Sequence, residues 1–207
     1  MVIDKDTYKL EDTNYYNSEF KKNQIIIGNS FSENNNHIKG WLSREGGKYK
    51  KTACFSINKD GKVYEHFNPK YYSDFTNNRL VDKKSISIVI ENLGWLQKDL
   101  INDKYIDWVG NIYNRSTDVI EKRWRGFVYW DSYSDEQMNS CVELVNYLCD
   151  KYDIEKNCVT HNTYIEGIEY FDGIVYKSNY HKESTDLSPA WDFKKFKEKI
   201  EEYEPTR

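Results

Sequence analysis

Three polar residues stand where regular structure is expected to end: Glu91, His161 and Asp186. Glu91 closes the apolar run Ser85–Ile90, and His161 closes the short run Asn157-Cys158-Val159-Thr160. Asp186 lies in Ser184-Thr185-Asp186-Leu187-Ser188-Pro189, just before a charged segment with helical spacing. Ligand sites of α/β domains gather at strand ends. An imidazole nitrogen and a carboxylate oxygen can hold a metal such as zinc. A nearby glutamate can then act as general base on metal-bound water. Such a set hydrolyses amides. Each residue also has a plainer role: a hydrogen-bonded structural histidine, a helix N-cap aspartate, or a glutamate that is solvated or paired with a cation.

The elements that would position these residues can be read from the patterning. Ile25-Ile26-Ile27, closed by Gly28 and Asn29, reads as a strand buried on both faces. The following stretch, from Ser32 to Lys51, predicts a short helix and a glycine-containing loop. Residues 52–67 predict a hairpin, with Asp60-Gly61 supplying the positive φ angles of a tight turn. β-Branched residues at Ile86, Ile88, Val89 and Ile90 mark another strand. Ser134 and Gln137 form a capping box ahead of Met138, Cys141, Val145, Leu148 and Tyr152, which share one helical face. A short strand at 157–161, two glycine-containing loops and a final charged helix complete the chain. The order predicts an α/β fold with a mixed central β-sheet flanked by helices.

The length of 207 residues favours one domain. Residues 1–23, polar and aromatic without a period, predict a wrapping N-terminal arm, and 24–207 the domain itself. Within it, about 95–130 mixes aromatics with charges and predicts an aromatic-rich insertion on one edge. The chain holds 18 Tyr, 9 Phe and 6 Trp, far from the aromatic-poor composition of disorder. A net charge of −4 gives no footprint for nucleic acid or an anionic membrane. The first residues lack the apolar core of a signal peptide, so synthesis in a cytoplasm is expected, with any release by another route. Cys54, Cys141, Cys149 and Cys158 form no CxxC and read as small apolar groups rather than a disulfide framework.

Taken together, the motifs resemble a known family. Ile25-Ile26-Ile27 stands for its opening strand, and Ala53–Ile57 with Asp60–Tyr64 for its hairpin. Ser87-Ile88-Val89-Ile90-Glu91 matches a strand ending in the catalytic glutamate of one branch. Gln137 matches a glutamine near the start of the long helix. Val159-Thr160-His161 matches a strand ending in a zinc-binding histidine. Thr185-Asp186-Leu187-Ser188-Pro189-Ala190-Trp191-Asp192-Phe193 matches a segment whose first aspartate binds zinc in one branch. From about Gln24 to Phe196, apart from the insertion after Trp95, the chain resembles the zinc-dependent N-acetylmuramoyl-L-alanine amidases, which include phage lysozyme-type amidases and the peptidoglycan recognition proteins.

The resemblance implies zinc at His161 and Asp186, Glu91 as general base, and cleavage of the amide between the muramic acid lactyl group and L-Ala in peptidoglycan or a muropeptide. The departures matter equally. The family's first zinc ligand is a histidine directly after the opening strand, where this chain has Gly28, Asn29 and Ser30. Ala53 replaces a tyrosine common in the hairpin, Ser184 a basic residue, and Leu187-Ser188 a Pro-Gly pair. Two protein ligands fall short of the three usual for catalytic zinc. His181 is the first candidate for a substitute, ahead of His37 and His66. Retention of Glu91, His161 and Asp186 together favours an active, phage-derived hydrolase. Loss of the first histidine leaves two alternatives: a catalytically inactive peptidoglycan-binding protein, or a virion structural protein with virion partners.

Overall fold

A computed structural model describes residues 1–204. Among the described residues, eleven strands follow one another: β1 (Ile3–Asp4), β2 (Gln24–Asn29), β3 (Phe55–Ile57), β4 (Val63–Glu65), β5 (Ser85–Ile90), β6 (Trp95–Asp99), β7 (Lys104–Ile106), β8 (Ile112–Tyr113), β9 (Val119–Trp124), β10 (Phe127–Asp131) and β11 (Gly173–Tyr176). The helices are α1 (Asn36–Ser43), α2 (Arg79–Lys84), α3 (Asp135–Tyr152) and α4 (Phe193–Glu201).

The main sheet has the order β1-β4-β3-β5-β2-β11. β2 is parallel to both of its neighbours, β5 and β11, while β3 and β4 form the antiparallel hairpin. The sheet is therefore mixed, as the patterning predicts. Ile25, Ile26 and Ile27 are each fully buried, which is why this strand shows no polar alternation. Burying each such side chain stabilises the fold by ~1.5–3 kcal/mol. Ile38 and Trp41 of α1, Met138, Cys141, Val145 and Leu148 of α3, and Phe196 and Ile200 of α4 join the sheet in one core.

α3 starts as its sequence predicts: Ser134 accepts from Gln137 N–H and the Gln137 side chain accepts from Ser134 N–H. The Gln137 amide also donates to the carbonyl of Glu91, 2.7 Å away, so the cap of α3 fixes the end of β5. At the start of α4 the capping residue is Asp192, which accepts from Lys195 N–H. The N-cap role open to Asp186 in the sequence falls instead to this later aspartate.

Two parts differ from the sequence expectation. Residues 157–161 form no strand; a single parallel bridge joins Cys158 to Ile174. The strand at this edge is β11, in a segment that reads as loop. It runs parallel to β2, with Tyr176 opposite Ile27, and the 157–161 segment only brushes its outer side. Four residues buried on both faces are too short to show a period.

Residues 95–131 build a second, antiparallel sheet in the order β8-β7-β6-β10-β9. Its own core is small, with Leu93, Leu96 and Tyr113 buried. A polar hub compensates. The buried carboxylate of Asp131 accepts from Tyr113 Oη at 2.7 Å and Leu93 N–H at 2.9 Å, and pairs with Lys59 at 3.2 Å and Arg115 at 3.4 Å. Lys59 belongs to the β3–β4 turn, so this hub ties the second sheet to the first.

Candidate functional site: a groove over the ends of β2 and β5

Glu91 directly follows β5 and is almost wholly buried, 5% exposed. Its N–H donates to the carbonyl of Ile57, extending the register of β5 against β3 by one residue. One carboxylate oxygen accepts from Asn34 N–H at 3.0 Å, the other from Asn35 N–H at 3.2 Å. Asn34 and Asn35 both have left-handed backbones, with φ of 54° and 57°. Asparagine tolerates that conformation better than most residues. Glu91 thus pins the loop that leads into α1. Burial pushes its carboxyl pKa up, and the two backbone N–H groups work against that shift. It borders a small cleft of about 150 Å³ with Glu33, Lys59, Arg115 and Asp131.

Asp186 is also buried, beneath the end of β2. It accepts from the N–H of Asn29, and its second oxygen lies 3.7 Å from the ammonium of Lys177. Burial raises its pKa to about 6, with Lys177 opposing. The position of Lys177 follows from register: Tyr176 is paired with Ile27, so the next residue of the β11 side stands beside Gly28. Its ammonium also sits 4.5 Å from the centre of the Phe75 ring, a cation–π distance. Lys177 was not legible as a site residue, because its placement depends on a strand that the sequence does not announce.

The zinc implied by the resemblance can be tested against the donors present. Gly28 has no side chain, and a Cβ there would lie 2.9 Å and 3.1 Å from the two Asp186 oxygens. The aspartate itself occupies the room a side chain at this position would need. His161 is exposed and its Nδ1 lies 2.8 Å from Thr163 Oγ1. His181 donates through Nε2 to the carbonyl of Thr76 at 3.1 Å. His66 is fully buried between Tyr8 O and Ser56 Oγ. His37 is buried against Ser32 and Trp41. Among the described residues, no three His, Cys, Asp or Glu side chains form a metal-binding group. These residues do not fit a catalytic zinc. Glu91 opens on its small cleft, Asp186 lies under a different cavity, and His161 lines neither.

That other cavity is a groove of about 550 Å³. It runs over the ends of β2 and β5, between α1 and the second sheet. Phe31, Trp41, Tyr49, Phe75, Trp95 and Trp108 supply ring surface, and Arg44, Lys51 and Lys177 supply positive charge; among the described residues no carboxylate lines it. On a chain of net charge −4, this is a local reversal of sign. Burial holds the His37 imidazole neutral, its pKa lowered to about 3. The groove suits a ligand with flat apolar faces and acidic groups.

A family model described as N-acetylmuramoyl-L-alanine amidase matches residues 14–169. No curated protein matches the chain by sequence. Among solved structures, the N-acetylmuramoyl-L-alanine amidase LysC from Clostridium intestinale URNW is similar over 97% of this chain and 98% of its own, at 16% identity and a TM-score of 0.57. A mutant of PlyL is similar over 98% of this chain and all of its own, at 11% identity and a TM-score of 0.57. The ectodomain complex of the peptidoglycan recognition proteins LCa and LCx, with tracheal cytotoxin bound, matches over 93% of each chain at 12% identity and a TM-score of 0.52. At these identities the likeness is one of fold.

Proposed function

Because the chain belongs to the N-acetylmuramoyl-L-alanine amidase family, we propose that its groove binds the sugar–peptide junction of bacterial peptidoglycan, and that it does so without cutting the lactyl amide. The observation that carries this reading is the Lys177–Asp186 pair beside Gly28. An ammonium group satisfies the aspartate, and the neighbouring position offers no donor. A groove that keeps aromatic faces and cations retains what a carbohydrate bearing an acidic peptide requires. The bound tracheal cytotoxin of the LCa–LCx complex supports ligand capture on this fold, as an analogy of architecture.

A second reading, amide hydrolysis, is favoured by Glu91. Its buried carboxyl, with pKa pushed up, has the environment of a proton-transfer group. That role requires Glu91 to release Asn34 and Asn35, and zinc would need a third donor besides His161 and Asp186.

Co-sedimentation with purified, insoluble peptidoglycan tests the first reading. Protein treated with a chelator pellets with the wall as well as protein given zinc, and a paired Arg44→Ala, Lys51→Ala variant pellets less. Absence of wild-type protein from the pellet overturns the reading.

A further inference from the structure

Two cavities meet where the main sheet joins the second sheet. One is the groove described above. The other, of about 450 Å³, lies between the loop at 31–36 and the segment 107–115. They share Phe31, Ser32, Asn36 and Trp108, so a chain-like ligand can pass from one to the other.

The junction is built rather than incidental. Phe31 has a left-handed backbone, φ 52°, an uncommon state for a bulky residue that persists only where its surroundings hold it. Its ring lies on Gly94, where a Cβ would stand 2.7 Å and 2.8 Å from two ring carbons. From the other side, the Trp108 indole N–H donates to the Phe31 carbonyl at 3.0 Å. That bond satisfies the one polar atom of Trp108. The side chain is nevertheless 47% exposed, so what it offers to solvent is ring surface, held in place.

The rest of the second cavity mixes apolar side chains, Leu93, Val109, Ile112 and Tyr113, with polar groups whose charge is nearly balanced. Arg115 pairs with Glu33 at 2.7 Å, and Asp107 is used by the N–H groups of Val109 and Asn111. The amides of Asn36 and Asn114 line the same space. Fixed ring faces, neutral amides and a compensated ion pair match the hydroxyls and acetamido groups of an amino sugar. They match neither a free anion nor a purely apolar ligand.

We propose that this cavity is a second carbohydrate subsite, which takes the next amino-sugar unit of a glycan strand whose peptide-bearing unit lies in the groove. The second sheet then serves to lengthen the groove along the glycan. The proposal rests on the peptidoglycan reading above, and the test separates the two.

Calorimetric titration uses two probes on the full chain: a β-1,4-linked tetramer of N-acetylglucosamine, which has no peptide, and a monomeric muropeptide. The wild type binds both. Asn114→Ala weakens the tetramer about tenfold, the scale of one lost amide contact, and leaves the muropeptide within about twofold, while Trp108→Ala, at the junction of the two cavities, weakens both probes. Both residues are exposed, so neither change threatens the core, and a thermal melt of each variant checks this. Wild-type affinity of both variants for the tetramer overturns the subsite. A wild type that binds the muropeptide but not the tetramer overturns the subsite and leaves the groove reading standing. A wild type that binds neither overturns both.

Discussion

The carboxylate of Asp186 fills the space that a side chain on Gly28 would occupy, with Oδ1 2.9 Å from the position of the absent Cβ. The ring of Phe75 closes the same space at 3.2 Å. Gly28→Ala therefore forces a shift and costs about 1–3 kcal/mol of stability, the usual scale of overpacking. Asp186→Ala makes room. Urea unfolding of the two single variants and the double variant should give a coupling of about 1 kcal/mol or more, with the double less destabilised than the sum. Simple additivity would show that the contact carries no energy.

Glu91 acts on the loop at 33–36 through two backbone N–H groups. Glu91→Gln replaces one acceptor by an amide that faces a donor. The expected loss is about 1–3 kcal/mol, the cost of a buried polar group left without a partner. Amide exchange at Asn34 and Asn35 should quicken in the variant. Wild-type stability and exchange in Glu91→Gln would remove this structural role.

His66 gives the fold a pH dependence of known sign. Its Nδ1 faces a carbonyl oxygen at 2.8 Å and so carries the proton, and Nε2 accepts from Ser56 Oγ at 2.9 Å. Burial lowers its pKa from 6.5 to about 4. Below 6.5 the unfolded chain binds the proton and the folded chain does not. Stability from His66 is thus complete above pH 6.5 and is lost as pH falls towards 4, by about 2 kcal/mol at pH 5. Buried Asp82 and Asp186, with pKa values raised to about 6, act in the opposite sense. The readout is therefore a difference: the stability gap between wild type and His66→Gln should narrow by about 2 kcal/mol from pH 7 to pH 5. A constant gap contradicts the assignment.

Asp131 holds the second sheet to the first through Lys59. Asp131→Ala leaves the buried Leu93 N–H and Tyr113 hydroxyl without this partner, at a cost of about 1–3 kcal/mol. Limited proteolysis of the variant should cut within 95–131 while α3 stays protected. Cleavage spread over the whole chain would show that the hub supports the main core instead.

Much of the main sheet was legible in the sequence because its signals are local. The isoleucine run of β2, the Asp-Gly turn between β3 and β4 and the capping box of α3 each lie within a few residues. The second sheet was not legible as strands. β9 is largely exposed along its length, so neither face imposes an apolar alternation. The site residues divide in the same way. Glu91 stands directly after β5, as its apolar run predicts. His161 ends no strand, since 157–161 makes only one bridge to β11. The tie of Asp186 to Lys177 depends on the parallel register of β11 with β2, a long-range fact that no local pattern records. Gly28 was legible as a departure from the resembled family's pattern, but the approach of Asp186 to it appears only in three dimensions.

The most direct test of a binding rather than cleaving site is the release of new amino groups from purified peptidoglycan incubated with the protein in excess zinc. The account predicts none above the wall-only control, while the protein itself is recovered in the pellet. Steady release of L-alanine amino termini, abolished by Asp186→Ala, would contradict it and establish a working hydrolytic centre.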